Sequence, residues 1–504
     1  MNVPYFLEMN ARKYPEKTAL KTENQFFTYQ DINEQANQIA NGLVERGIRQ
    51  DDRLVLLLPN GYYFVVAYFA VLKIGAVVTP INTKLTTSEI NYILNDSNAS
   101  AFLTSESLME QAKDITFQGV KVTTGQAKQG WDLFGEWLSK QEKVFSSVTT
   151  NEDTFTTLLY TSGTTGKPKG VVLTNRNILS VAQMISIEME LGADAKTLLM
   201  MPLSHSAPLH LFFLSTMVVG GTAITRKEFH PLEMLKAVEA ESVTHFFGAP
   251  VAYLFAAKLL EKENFDLSSM KRWVYGGAPL GAKEVAFVKQ RFQTDRLTAV
   301  YGLTEGGPSG TLLRPEEHDE KAGSIGKYAC LYTELNIVDE TCRTVDDEEV
   351  GEIVIKGLGV MDRYYEREEA TEDVFVNGWL RTGDLGKRDK DGYLWVVDRK
   401  KDVIVSGGVN IFPFEVEQAL LDYPDFEEVA VVGVPHRDWG ETVKVFYVAR
   451  EAVDEKQVHD FFKNRLAHYK MPKIYEKIDV LPRNPTGKVL KHILRGKEED
   501  YVEN

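Results

Sequence analysis

The sequence predicts an α/β protein: a large N-terminal domain of helix-covered, largely parallel sheets that ends in a β-rich subdomain, then a small α+β C-terminal domain. Three observations carry this. Strand-like and helix-like apolar patterns alternate from residue 28 to residue 307. Shorter strand patterns crowd residues 330–397. After the charged stretch "DRKKDVIVSGG" (398–408), a new helix–strand rhythm begins. A chain of 504 residues is also longer than one compact core usually sustains. We place the domain boundary at 400/401, giving domains 1–400 and 401–504.

Thr28 followed by Asp31 is a helix-start signature, and Ile32, Ala36, Ile39, Ala40 and Leu43 then recur at helical spacing. "RLVLLL" (53–58) reads as a strand, "YYFVVAYFAVLKIG" (62–75) as a helix ended by Gly75, and "AVVTPI" (76–81) as the next strand. The pattern returns with a strand at 196–202, a helix at 231–241 and a strand at 243–250. The segments 267–281 and 296–307 each run a strand into a turn of small residues. Such turns gather at one edge of a sheet, where α/β proteins bind ligands. The β-rich subdomain takes its strands from 333–339, 351–357 and 393–398.

Asp and Glu outnumber Lys and Arg by 72 to 57, a formal net charge of −15. This argues against nucleic acid as the main partner. The two cysteines, Cys330 and Cys342, suit neither a redox pair nor a zinc ribbon and fit a reducing cytoplasm. The N-terminus lacks the basic-then-apolar order of a secretory signal. The most apolar stretch, 54–82, is divided by Pro59, Asn60, Gly61 and Lys73, so it reads as buried core rather than a membrane span. Peripheral membrane contact stays open.

The densest local signal is "LLYTSGTTGKPKGVVLT" (158–174). Glycines let the backbone approach a ligand and turn its N–H groups inward, hydroxyls add donors, and lysines add charge; together they suit a polyphosphate. The loop is not a Walker A motif. Gly163 to Lys167 is two residues too short, and Pro168 prevents a helix from opening after the lysine. No GxGxxG fingerprint occurs. Composition alone also allows a polar hairpin loop between two strands.

"YTSGTTGKPKGV" closely resembles the signature of the adenylate-forming (AMP-binding) superfamily of acyl- and aryl-CoA synthetases, peptide-synthetase adenylation domains and luciferases. Further motifs run in family order: "PLSHSAPL" (202–209), "YGGAPL" (275–280), "YGLTE" (301–305), "GWLRTGD" (378–384), "DRKKDVIVSGGVNIFPFEVE" (398–417) and "PRNPTGKVLK" (482–491). The resemblance covers nearly the whole chain and is strongest to bacterial fatty acid–CoA ligases. It implies that Thr161, Ser162, Gly163, Thr164, Thr165, Gly166, Lys167 and Lys169 wrap the ATP phosphates. It also implies that Gly277, Ala278 and Pro279 border adenine, with Tyr301 stacked on it beside Gly302. Thr304 then contacts the α-phosphate, Glu305 holds Mg²⁺, and Asp384 and Arg399 take the ribose side. Lys488 is the expected catalytic cation of adenylation, since a positioned ammonium stabilises charge developing at the α-phosphate.

The implied reaction has two steps. ATP and a carboxylic acid give acyl-adenylate and pyrophosphate; the CoA thiol then displaces AMP. The family implies that the small C-terminal domain is mobile, turning about hinge Lys401 between the steps to bring Gly407 and Gly408 to the pantetheine arm. His205 matches a position beside the acyl and thiol channels, and a purely structural histidine is the competing reading. The expected acyl pocket is lined by His205, Phe246, Phe247, Gly248, Ala249, Val251, Gly276, Gly302 and Leu303, apolar or small residues that suit a medium- or long-chain fatty acid. Alternatives are an aryl-CoA ligase of the cinnamate or benzoate type, a stand-alone adenylation enzyme that loads a carrier protein, and a luciferase-like monooxygenase. "PLSHSAP" lacks the aspartate of amino-acid-activating relatives, and Phe412 stands where many relatives have tyrosine. A homodimer is common in the family.

Overall fold

The structure is a computed structural model, and it describes residues 2–126, 128–161, 168–308, 310–437, 439–463, 465–483 and 489–496. The chain forms two compact units, Met1–Leu335 with Ile355–Leu380, and Asn336–Val354 with Arg381–Asn504.

Among the described residues, the first unit contains two eight-stranded sheets. One runs in the order Thr311–Leu313, Leu297–Tyr301, Arg272–Gly276, His245–Gly248, Lys196–Leu199, Thr222–Thr225, Thr18–Lys21, Phe26–Thr28. Its inner pairs are parallel, and an antiparallel strand closes each edge. The other runs Arg363–Tyr364, Lys169–Thr174, Phe155–Thr161, Val77–Pro80, Arg53–Leu57, Ala99–Thr104, Val120–Thr123, Asp132–Leu133. It is parallel from Phe155–Thr161 onward and antiparallel at the other end. The α/β expectation holds.

Local chemistry explains the helix starts. Thr28 accepts the Asp31 N–H while the Asp31 carboxylate accepts the Thr28 N–H, a capping box that opens helix Tyr29–Glu45. Ile32, Ala36, Ile39, Ala40 and Leu43 of that helix are fully buried. Helix Tyr62–Lys73 is buried nearly all round, and Gly75 follows it in the left-handed region at φ 76°. Its 12 residues span about 18 Å, too short to cross a bilayer. No helix among the described residues is long and apolar enough to do so. Lys73 sits at the end of this helix fully buried, with its ammonium 2.7 Å from the Glu8 carboxylate.

In the second unit, Asp384–Arg388 pairs antiparallel with Leu394–Arg399. A separate sheet runs Val409–Ile411, Ile404–Ser406, Gly440–Val448, Glu428–His436, with Ile474–Lys477 parallel to Gly440–Val448. Helices Pro413–Leu420 and Glu455–Phe462 cover it and place Val416, Leu420, Val458 and Phe462 in a core with Ile404, Val431 and Val445. This is the α+β pattern the sequence implies.

Candidate active site

The first unit gathers its chemistry at the C-terminal ends of three adjacent parallel strands. Gly248 lies opposite Tyr275, and Gly276 opposite Val300. Gly276 is buried, and a Cβ there would lie 2.8 Å from the Val300 carbonyl oxygen and 3.2 Å from the Phe247 ring. The close approach of the next strand therefore requires glycine. The chain then turns at Gly277 (φ 83°), leaving Gly277, Ala278 and Pro279 exposed, a low rim that a flat base could cover.

Phe247 stacks on Phe212 with ring centroids 5.0 Å apart and 16° between planes. Phe246 points to the other face of the strand. It is fully buried among Phe229, Tyr253 and Trp273. Phe246 and Phe247 therefore cannot line one pocket, because successive strand residues face opposite sides. The pocket expectation is corrected at Phe246, which is core. Ala249, Val251 and Leu303 are partly exposed, and Gly302 is exposed.

Strand Leu297–Tyr301 runs into a turn, Thr304–Gly306, that carries the expected metal-side carboxylate. Gly307 follows at φ 77°, where any Cβ would collide with the Gly359 backbone. The Glu305 carbonyl accepts the Met361 N–H at 2.8 Å. Its Oε1 accepts the Tyr364 hydroxyl at 2.9 Å and the Thr161 hydroxyl at 3.4 Å. Burial and the adjacent Glu305 charge push the Tyr364 phenol up, so it stays a donor. Lys169 places its ammonium 5.1 Å from the Tyr364 ring centroid. Thr304 Oγ1 is 3.0 Å from Ser206 Oγ.

The donor set fits Mg²⁺. With Oε1 engaged by two hydroxyls, Oε2 makes no hydrogen bond among the described residues, and Mg²⁺ commonly takes one or two carboxylates plus substrate phosphates. No cluster of three metal-binding side chains occurs among the described residues, so an all-protein cage is not offered.

His205 follows strand Lys196–Leu199 in a turn held by Asn60, whose side chain donates to the Met201 carbonyl and accepts the Leu203 N–H, both at 2.9 Å. The ring is half-buried and its Nε2 lies 3.2 Å from Asn82 Nδ2. Loss of solvent pushes its pKa down to about 4, leaving the imidazole neutral at pH 7.

In the second unit, Asp384 and Arg399 are cross-strand partners, and Arg399 Nε lies 3.1 Å from Asp384 Oδ1. Asp384 is only 6% exposed, and its N–H bonds Thr382 Oγ1 at 3.1 Å. Nearby, Glu352 receives Arg381 at 2.5 Å and Lys400 at 3.3 Å. Lys401 is exposed within the short turn Lys400–Asp402. Gly407 (φ 58°) and Gly408 (φ 79°) turn the hairpin Ile404–Ser406/Val409–Ile411, which needs glycine's left-handed backbone. Ser162, Gly163, Thr164, Thr165, Gly166, Lys167 and Lys488 lie outside the described residues. The strands on either side of 162–167 pair antiparallel, Thr161 opposite Lys169.

Asn82, Ser206, Phe212 and Tyr364 are site residues that sequence reading missed. Tyr364 lies 59 residues from Glu305 and Asn82 lies 123 from His205, separations that no local pattern bridges.

Comparison with known proteins shows the family. The AMP-binding enzyme family matches residues 7–365, and the AMP-binding enzyme C-terminal domain matches 415–488. The feruloyl-CoA synthase of an Amycolatopsis species is 36% identical over 490 residues, covering 96% of each chain. Long-chain-fatty-acid–CoA ligase FadD13 of Mycobacterium tuberculosis is 34% identical over 469 residues, 93% of this chain and 92% of that one. The o-succinylbenzoate CoA synthetase MenE of Bacillus subtilis, solved with ATP and magnesium, superposes with a TM-score of 0.86 at 31% identity, covering 97% and 98% of the two chains. The chain belongs to the adenylate-forming AMP-binding enzymes, in their acyl- and aryl-CoA ligase branch, whose co-substrates are ATP with Mg²⁺ and CoA.

Proposed function

We propose that this chain is an AMP-forming fatty acid–CoA ligase acting on medium- or long-chain acids. The observation that carries the choice of acid is the face made by Phe212, Phe247 and Gly276. It combines a stacked aromatic pair with a strand-end glycine and carries no charge to meet a second carboxylate. Apolar surface of this kind gains about 0.8 kcal/mol for each CH₂ it removes from water. An aryl acid is the second reading, favoured by the flat Phe212–Phe247 stack and by the feruloyl-CoA synthase relative.

In adenylation, Thr304 would hold the α-phosphate while Glu305, oriented by Tyr364 and Thr161, would hold Mg²⁺. Bound there, Mg²⁺ would neutralise phosphate charge. Thr161 and Lys169 would flank the β- and γ-phosphates with residues 162–167, and Tyr301 with Gly277–Pro279 would take the adenine. From the second unit, the reading assigns Asp384 and Arg399 to the ribose side and Lys488 to the charge developing on phosphate. His205 would serve the acyl side, and Gly407 and Gly408 the pantetheine arm. We further propose that residues 401–504 turn about Lys401 between the half-reactions, that the protein is cytoplasmic, and that it forms a homodimer.

Pyrophosphate release across a panel of acids, short to long chain plus aryl, with and without CoA, tests this reading. CoA-dependent turnover peaking on medium or long chains is expected. A peak on cinnamates or benzoates would replace the fatty acid with an aryl one. Adenylate that CoA cannot discharge would point to a carrier protein as acceptor.

A further inference from the structure

Asn82 offers a deduction that reaches beyond the roles assigned above. It follows strand Val77–Pro80, an inner strand of the second sheet, and its side chain touches two groups. Its Oδ1 accepts the Lys84 backbone N–H at 2.8 Å, and its Nδ2 lies 3.2 Å from His205 Nε2. A backbone N–H can only donate, so it fixes which end of the amide is oxygen. The other end is therefore NH₂, which can only donate. His205 Nε2 must then be the bare, accepting nitrogen, and the ring proton must sit on Nδ1.

We propose that Asn82 is a positioning residue: anchored by the Lys84 N–H, it locks His205 in the Nδ1–H tautomer, so that His205 offers the acyl half of the reaction a hydrogen-bond donor. This rests on the reading that His205 serves the acyl side. The low pKa agrees with it, because a protonated ring would have no lone pair for the Asn82 N–H. Among the described residues, Nδ1 has no recorded hydrogen bond. The ring keeps partial exposure, so Nδ1–H is the donor left for a ligand.

The consequence is chemical. With Nε2 engaged and Nδ1 protonated, His205 is not the base that deprotonates the CoA thiol. Its N–H suits an oxygen that gains negative charge, as the acyl carbonyl oxygen does when a thiolate adds to its carbon.

Two-bond ¹H–¹⁵N correlation spectra of the full chain labelled with ¹⁵N-histidine read the tautomer directly, with His205→Gln assigning the signal. Asn82→Asp is the informative variant, because its carboxylate still accepts the Lys84 N–H and keeps the turn but cannot donate to Nε2. Wild type should show a protonated Nδ1 and bare Nε2, and Asn82→Asp should move the proton to Nε2 or protonate both nitrogens. Thioester formation from supplied acyl-adenylate and CoA should slow roughly tenfold to a hundredfold in Asn82→Asp, with the KM for ATP unchanged. A protonated Nε2 in wild type, or an unchanged Nδ1–H ring in Asn82→Asp, overturns the lock. If the tautomer moves but neither Asn82→Asp nor His205→Gln slows thioester formation, the lock stands and the acyl-side reading of His205 falls.

Discussion

Glu305 acquires its direction from residues far away in sequence. The Tyr364 phenol and Thr161 hydroxyl both bond Oε1. A hydrogen bond to a charged group is worth about 1.5–3 kcal/mol, so losing the Tyr364 hydroxyl should cost on the order of tenfold to a hundredfold where Glu305 must be held in place. Tyr364→Phe is expected to raise the Mg²⁺ concentration for half-maximal pyrophosphate release by about that factor while leaving thiolysis of supplied adenylate intact; a Mg²⁺ titration of both half-reactions decides it. His210 makes a different point. It is fully buried, neither ring nitrogen has a hydrogen-bond partner among the described residues, and burial pushes its pKa down to about 3. An unfolded histidine binds its proton near pH 6.5, so between about 6.5 and 3 the unfolded chain holds a proton that the folded chain does not. Stability contributed this way is present above pH 6.5 and is lost as pH falls. At pH 5 the loss from this one residue is about 2 kcal/mol. His210→Leu should therefore flatten the decline in unfolding free energy between pH 7 and pH 5, measured by urea denaturation at each pH.

At the scale of the element, the site is a set of strand ends brought close by glycine. Gly276→Ala would drive a Cβ against the Val300 carbonyl, so strand Leu297–Tyr301 must shift. Overpacking of this sort costs about 1–3 kcal/mol. We expect a lower denaturation midpoint together with a switch in acid preference toward shorter or narrower substrates; an unchanged chain-length profile would remove Gly276 from the pocket wall. Much at this scale was legible in the sequence. The Thr28–Asp31 cap, helix Pro231–Glu241 and the strands around residues 155–174 follow from local signals, because caps, periodicity and turn residues act within a few positions. Strand 196–202 proves shorter, ending at Leu199, because the chain breaks into the Asn60-held turn. The pairing of Phe246 with Phe247 failed although its signal was present: a strand's period of two already sends neighbours to opposite faces. Tyr364, Asn82 and Phe212 were not legible, since each meets its partner through the packing of elements far apart in sequence.

For the whole molecule, the proposed division of labour between two units predicts that the half-reactions are separable. The first unit carries Thr304, Glu305 and the Phe212–Phe247 face, and the second carries Asp384, Arg399, the Gly407–Gly408 hairpin and the turn Lys400–Asp402. If the C-terminal residues serve adenylation with Lys488 and thiolysis with the hairpin, variants should fail in opposite halves. Lys488→Ala would remove the ammonium proposed to stabilise charge at the α-phosphate, so adenylation should fall by at least a hundredfold while supplied acyl-adenylate still becomes thioester. Lys401→Pro would fix the backbone dihedral φ at the proposed hinge, so adenylation should persist while thioester formation falls. Burst kinetics distinguish the two: Lys401→Pro should release about one equivalent of pyrophosphate and then stall, whereas Lys488→Ala should show no burst. Equal loss of both half-reactions in either variant would mean that a single arrangement of the C-terminal residues performs both steps, and the hinge at Lys401 would have to be abandoned.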